Sequence, residues 1–284
     1  MPKIGNYTLH TVETGRFGLD GGAMFGIVPK PLWERKIPAD AKNRIPLNMR
    51  CLLLEGEDRL MLVDNGLGDK YDEKFASIFA VDQEYASLER SLNTLGYTAD
   101  DVTDLIITHL HFDHCGGSTR RVGDKLEVVF KNARHHVQRE HWDWAQHPNV
   151  RERNSFLKEN LQPLEDAGVL NFLDGKTQLA PGIEVFVAHG HTEAMQLVKI
   201  ADGSTTLVYT ADLLPTHAHI PSAWNMAYDL QPMVTIEEKE AFLAEAVAKN
   251  WHLFFEHDPE VAVASLKQTD RGVQVVDTRT LAEL

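Results

Sequence analysis

The residues whose types and spacing could do chemistry are concentrated in Thr108-His109-Leu110-His111-Phe112-Asp113-His114-Cys115-Gly116-Gly117. Three imidazoles and one carboxylate fall within six residues, from His109 to His114. Imidazole nitrogen and carboxylate oxygen suit zinc and neighbouring divalent transition metals. These four donors exceed what one open catalytic zinc usually draws from a single loop, so the spacing points to two adjacent metals. The plain alternative is a histidine-rich surface loop, and the tight His-x-His-x-Asp-His spacing after an apolar run argues against it. Cys115 reads as a small packing residue ahead of the Gly116-Gly117 turn rather than as a ligand.

A metal pair needs more donors than one loop provides. The second half offers His189-Gly190-His191-Thr192, then Asp212, then Glu256-His257-Asp258, each after an apolar run. For these groups to meet, each must sit at the end of a strand and the strand ends must gather at one edge. The run Leu105-Ile106-Ile107 fits that requirement, being β-branched, brief and bounded by polar residues. If the chain stays extended past Thr108, then His109, His111 and Asp113 project to one side, because side chains alternate along a strand. His114 then follows where the chain turns.

The elements that must hold these groups can be read in outline. Residues 3–13 alternate loosely and predict an opening strand. The glycine-rich stretch 15–26 is too flexible in composition to be core, and Met24 and Phe25 within it could offer an apolar lip to a pocket. Residues 29–46, marked by prolines, should be irregular. Residues 49–54 and 60–63 read as a hairpin, and the spacing of Tyr85, Leu88, Leu92 and Leu95 predicts a helix over 83–95. A helical stretch over 138–166, broken at Pro148 and ending near Pro163 and Gly168, carries His141, Trp142, Trp144 and His147 as packing groups or a pocket wall. Strands return over 183–188, 195–200 and 205–209, followed by a helix over 236–249 and the run 253–255. Hairpin, helix and strand thus recur in the same order in both halves. No repeat, low-complexity tract or linker divides them, so residues 1–284 read as one domain.

Composition bounds the partners. The chain has 284 residues, 43% of them hydrophobic, enough for a sizeable core. Its 42 acidic and 28 basic residues give a net charge of −14, which repels phosphate backbones and argues against a general nucleic-acid binder. Bound divalent cations would offset part of that charge. Cys51 and Cys115 are far apart and form no Cys-x-x-Cys pair, as expected in a reducing compartment. The amino terminus lacks the pattern of a signal peptide, and no run approaches the ~18 apolar residues of a membrane span. The reading is a cytoplasmic protein with a small-molecule substrate and no membrane or nucleic-acid partner, and it allows a homodimer.

Taken together, Thr108 to His114 with Gly116-Gly117, Gly190-His191-Thr192, Asp212 after a strand, His257, and Val63-Asp64-Asn65-Gly66 upstream resemble the metallo-β-lactamase superfamily. Within it the chain looks most similar to the quorum-quenching N-acyl homoserine lactonases and the related organophosphate hydrolases, through Asp20-Gly21-Gly22 and Phe255-Glu256-His257-Asp258. The resemblance implies an α/β fold, the four-layer αββα sandwich. It implies that His109, His111 and His191 hold one metal, that Asp113, His114 and His257 hold the other, and that Asp212 bridges two divalent ions, zinc by preference. Asp113 and Asp212 are the candidate catalytic carboxylates, and Asp64 resembles the aspartate that orients a ligand histidine from behind. The activity implied is hydrolysis of an ester or lactone by a metal-bridging hydroxide.

The sequence departs from the lactonase pattern in two places. Glu193-Ala194-Met195 follows Gly-His-Thr where many relatives have Pro-Gly-His, and Leu213-Leu214-Pro215 stands where lactonases place a tyrosine. Carbonyl polarisation would then fall to metal alone, or to His217, His219 or Tyr228. His189 is the rival to His191, and the Gly-His-Thr context favours His191. Rival activities on the same fold are phosphotriester, glutathione thioester or β-lactam hydrolysis, an iron-dependent oxygenase, or a signalling protein without turnover.

Overall fold

A computed structural model describes residues Met1 to Leu284. The first half supplies a seven-stranded sheet whose spatial order is Lys3–Ile4, Tyr7–Asp20, Arg44–Glu55, Leu60–Val63, Asp104–Ile106, Arg134–Gln138 and Leu170–Leu173. The second half supplies another seven-stranded sheet, ordered Thr177–Ala180, Ile183–Ala188, Met195–Ala201, Thr206–Tyr209, His252–Phe254, Val263–Thr269 and Gly272–Arg279. A separate hairpin, Thr119–Val122 with Lys125–Val128, follows the histidine cluster.

The continuous apolar runs of the first sheet are explained by covering on both faces. Leu52, Leu54, Met61, Val63 and Ile106 belong to the core shared with the second sheet. Their alternating neighbours Cys51, Leu53, Leu60, Leu62, Leu105 and Ile107 pack on the other face with Leu92, Trp142, Leu161 and Leu164. Those last four sit on the helices Leu88–Thr94, Arg139–Gln146 and Lys158–Ala167. Over the second sheet lies Pro232–Ala248, where Phe242 faces Phe186 with ring centroids 6.3 Å apart. The layers therefore run helix, sheet, sheet, helix, which is the expected αββα sandwich.

Parallel pairing decides where the site can form. Leu60–Val63 pairs parallel to Asp104–Ile106 with Val63 opposite Ile106, so Asp64 and the histidine cluster leave the sheet at adjacent carboxyl ends. Thr206–Tyr209 pairs parallel to His252–Phe254 with Tyr209 opposite Phe254, which does the same for Asp212 and His257. Ligand crevices form outside such carboxyl ends. The two sheets are tied there by Gln196 N–H donating to the Thr108 carbonyl at 2.9 Å, and by Asn48 N–H donating to the His257 carbonyl at 3.1 Å.

Four expectations are corrected. The chain does not stay extended through the histidine cluster: His111 precedes a short helix, Phe112–Cys115, whose first turn carries Asp113 and His114. The glycine-rich stretch is ordered and partly core. Its strand runs on to Asp20, whose carboxylate caps the helical turn Gly21–Phe25 by accepting from Ala23 N–H at 2.9 Å. Gly21 serves close packing there, since a Cβ would lie 2.3 Å from the Trp33 ring. The helix over 83–95 shortens to Leu88–Thr94, and Tyr85 instead lies under the Arg16 guanidinium, 3.6 Å from the ring centroid. The helix Lys158–Ala167 continues through Pro163, because the carbonyl of Glu159 that the proline cannot satisfy accepts from Thr119 Oγ1 at 2.9 Å.

Candidate metal centre

His109, His111, His191 and Asp212 bring one donor atom each within 4.8 Å of one another, and Asp113, His114 and His257 do the same beside them. All seven residues are buried. Asp212 touches both groups: Oδ2 lies 3.2 Å from His191 Nε2 and 3.6 Å from His114 Nε2, while Oδ1 lies 3.4 Å from His257 Nε2. Within the groups, His109 Nε2 and His111 Nδ1 are 3.0 Å apart, as are His114 Nε2 and His257 Nε2.

The outer nitrogen of every ring faces an oxygen. His109 Nδ1 lies 3.1 Å from Thr108 Oγ1, and His111 Nε2 lies 3.0 Å from Glu152 Oε1. His191 Nδ1 lies 3.0 Å from Asp229 Oδ1, and His257 Nδ1 lies 2.8 Å from the Asn48 carbonyl. His114 Nδ1 has two carboxylates, Glu256 Oε2 at 2.9 Å and Asp64 Oδ2 at 3.1 Å. An N–H directed outward leaves the inner nitrogen with a lone pair, so five lone pairs and two carboxylates converge on one small volume. Asp212 Oδ1 is buried there without a hydrogen-bond donor. Facing lone pairs and an unpartnered buried carboxylate oxygen repel one another unless cations or protons lie between them. The donor set fits divalent transition metals.

Local backbone explains how these groups are held. Asp64 adopts φ 56° and Ala211, just before Asp212, φ 44°, a left-handed conformation that is unfavourable for residues other than glycine. At Asp64 the strain is offset by hydrogen bonds: Thr108 N–H and Thr108 Oγ1 both donate to its carboxylate at 2.7 Å. Leu110 N–H, between two candidate ligands, donates to His141 Nε2 at 2.8 Å. On the other side, Glu238 accepts from the backbone N–H groups of His189 and Gly190 at 2.7 and 2.9 Å. Gly190 must be glycine, because a Cβ would stand 2.3 Å from Thr235 N.

Charge follows from this packing. Burial and the neighbouring rings His114 and His111 hold the pKa of His109 well below its ordinary value. Burial acts the same way on His114, but Glu256, Asp212 and Asp113 outweigh it and raise the pKa. His257 is driven up to about 9 against burial, chiefly by Asp212. Glu152 is opposed by burial, yet its bonds to His111, Thr192 and Trp144 bring it down to about 2. Glu152 is therefore an anion at neutral pH where His111 needs an acceptor, whereas burial pushes the Glu256 carboxyl beside His114 up to about 7.

A cavity of about 540 Å³ opens above the donors. His111, Asp113, His191, Asp212 and His257 form its floor, and Leu19, Met24, Phe79, Phe112, Met226 and Leu230 form an apolar wall. Met24 and Tyr228 line it. Phe25 and His217 do not. Phe25 is stacked between Trp33 and His219, and His217 Nδ1 turns away to Asp258 Oδ2 at 2.6 Å. His219 is likewise engaged elsewhere, with its Nε2 donating to the Met24 carbonyl at 2.8 Å. His189 lies outside the cluster, paired with Glu193. Trp144 and His147 line a different surface groove. Cys115 is buried and donates to the Leu110 carbonyl at 3.3 Å. Glu152, Asp229 and Glu256, the outer partners of three rings, have no sequence pattern that separates them from other acids; only Glu256 sits where a signal existed, between a strand end and His257.

An N-acyl homoserine lactonase from Bacillus cereus is 29% identical over 177 residues, covering 58% of this chain and 63% of that relative, just under two thirds of its length. Among solved structures, a probable metal-dependent hydrolase from Staphylococcus aureus aligns with a TM-score of 0.89 at 29% identity over 99% of this chain and 100% of its own. AidC, a dizinc quorum-quenching lactonase in complex with the product N-hexanoyl-L-homoserine, aligns with a TM-score of 0.82 at 22% identity, covering 99% and 97%. The family model of the metallo-beta-lactamase superfamily matches residues 45–257, and the chain belongs to that superfamily.

Proposed function

We propose that this metal-dependent hydrolase opens N-acyl homoserine lactones on a dinuclear centre. His109, His111 and His191 would hold one ion, Asp113, His114 and His257 the other, with Asp212 shared. Zinc is the proposed metal. The observation that carries the reading is the cavity: a floor of metal donors beneath an apolar wall fits an electrophilic head joined to an acyl chain. The likeness to a Bacillus cereus lactonase and to AidC supports it. The core shared by both sheets supports reading residues 1–284 as one domain.

Bound divalent cations would supply Lewis acidity, acidifying water and polarising a carbonyl. In ring opening, water adds to the lactone carbonyl, the bond to the ring oxygen breaks, and a hydroxyl and a carboxylic acid result. Asp113 and Asp212 reach both the cluster and the cavity, so they are placed to carry the proton from the attacking water to the departing oxygen. Tyr228 lines the cavity, and burial, with Asp20 and Asp113, raises its phenol to about 12, so it stays a hydrogen-bond donor for a substrate oxygen. The apolar wall gains from each methylene it covers, at most about 0.8 kcal/mol when fully buried, so rates should change gradually with acyl length.

Metal-loaded protein in weak buffer should release acid from lactones of several acyl lengths, with weaker turnover of aryl esters and phosphotriesters. No acid from any lactone, beside efficient turnover of a thioester or a β-lactam, would reject the lactonase reading.

A further inference from the structure

The cavity has a second, polar wall that the picture of a donor floor beneath an apolar wall leaves unused. Arg151, Asn154 and Ser155 form it, on the loop between Arg139–Gln146 and Lys158–Ala167. Arg151 is the single lysine or arginine among the cavity's lining residues. Its neighbour Glu152 is bonded to His111 Nε2, which fixes the loop against the donor cluster. Asn149 Oδ1 accepts from the backbone N–H groups of Arg151 and Glu152 at 2.9 and 3.1 Å, so the turn that presents Arg151 is itself pinned.

Across the cavity, Arg151 Nη2 donates to the carbonyl of Ala227, the residue before Tyr228. A guanidinium has five N–H donors in a planar fork. Arg151 makes no other side-chain hydrogen bond and no ion pair, and it is exposed at the cavity, so its remaining donors are free for a ligand. A hydrophobic chain gains nothing from that group, whereas a substrate oxygen beside the scissile carbonyl would find a charged donor held at a fixed place.

We propose that Arg151 recognises the amide oxygen of an acylamino substituent on the lactone ring, so that the protein selects acylamino lactones over lactones bearing a plain alkyl chain. The inference rests on the lactonase reading and names the feature of the substrate that it selects. In such a substrate the amide is attached to the ring carbon next to the scissile carbonyl, and the acyl chain continues beyond it. The ring would then lie over the metal donors, the amide against Arg151, and the chain along Met24, Phe112 and Met226. The bond to Ala227 keeps the guanidinium in place without substrate, which lowers the ordering cost of binding.

The test uses the metal-loaded full chain and its Arg151→Met and Arg151→Lys variants. The substrates are N-hexanoyl homoserine lactone and α-hexyl-γ-butyrolactone, which carries an alkyl chain on the same ring carbon but no amide. Loss of one partly exposed charged hydrogen bond predicts about a tenfold fall in kcat/KM of Arg151→Met on the acylamino lactone, mostly through KM. The alkyl lactone should change by less than about twofold, Arg151→Lys should keep part of the preference, and metal content should be equal in all three proteins. An equal fall on both substrates would show that Arg151 only latches the loops together, and no fall on either would remove it from recognition; both outcomes overturn the proposal. If the unaltered protein opens neither lactone, the lactonase reading fails and this proposal fails with it. If it opens both but without an Arg151-dependent preference, only this proposal fails.

Discussion

Replacing Asp64 by asparagine changes one atom and should weaken metal binding through a ring it never lets go of. Asparagine tolerates the left-handed backbone at this position, where φ is 56°, so the fold is retained. The carboxylate accepts three hydrogen bonds: from Thr108 N–H, from Thr108 Oγ1 and from His114 Nδ1. An amide offers one oxygen and one NH2 group, so it cannot accept from both Thr108 N–H and His114 Nδ1–H. With the oxygen kept on Thr108, the NH2 group faces His114 and favours the tautomer whose inner nitrogen carries the proton and cannot ligate. A lost charge-assisted bond is worth about 1.5–3 kcal/mol, or roughly 10- to 100-fold in affinity. Glu256 Oε2 stands 2.9 Å from the same Nδ1, and neither of its oxygens has a hydrogen-bond partner, so it is free to take up the ring's proton when Asp64 no longer accepts it. The expected loss for Asp64→Asn is therefore near the lower end, about tenfold, while Asp64→Asn with Glu256→Gln should exceed the sum of the two single effects. Competition of the metal-free protein with a chromophoric chelator measures this. Metal affinity within about twofold of the unaltered protein in both the single and the double variant would refute the reasoning about His114.

Three further outcomes follow from the same geometry. Asp212→Ala should nearly abolish activity and reduce metal content, while His189→Ala, which removes contacts with Glu193 and the Ala194 N–H outside the cluster, should leave both close to normal; the opposite ranking in a side-by-side assay would show the wrong ligands. Tyr228→Phe should lower lactone turnover about tenfold at unchanged metal content, as expected for one lost hydrogen bond to substrate, and unchanged kcat and KM would remove the phenol from the reaction. His219 is buried and neutral, with a pKa lowered to about 4 by burial, whereas the unfolded ring takes a proton near 6.5. The unfolded state therefore binds more protons between these values, so stability is lost as pH falls from 6.5 towards 4, by roughly 3 kcal/mol at most for this ring. Urea unfolding of metal-free protein should show a shallower acid slope for His219→Gln, and identical slopes would contradict the neutral buried ring.

How much of this was legible in the chain depended on whether the signal was local. The strands 183–188 and 60–63 and the cluster at His109 carry their signal in adjacent residues, so their positions followed from apolar runs and spacing alone. His191, Asp212 and His257 were found because each follows a strand end, and Asp64 because it resembles a family position. Glu152 and Asp229 were not legible. They lie in irregular loops, and which of the 42 acidic residues meets an imidazole is decided by tertiary packing. Phe25 and His217 were misplaced for the converse reason. Both lie in local sequence that suggests a loop, but Trp33 covers the first and Asp258 captures the second, contacts made across 8 and 41 residues. Arg151 gave no sequence signal, since its place in the cavity depends on a loop pinned by Asn149.

The central claim is that seven side chains form two adjoining metal sites, and the count of ions per chain tests it most directly. Metal analysis at saturation should give about two transition-metal ions per chain, since each site needs roughly four or five donors with one ligand and water shared. In His257→Ala, one of the two sites should weaken while the His109, His111 and His191 site persists. One ion per chain at saturation in the unaltered protein, with no second site found by titration, would contradict the account.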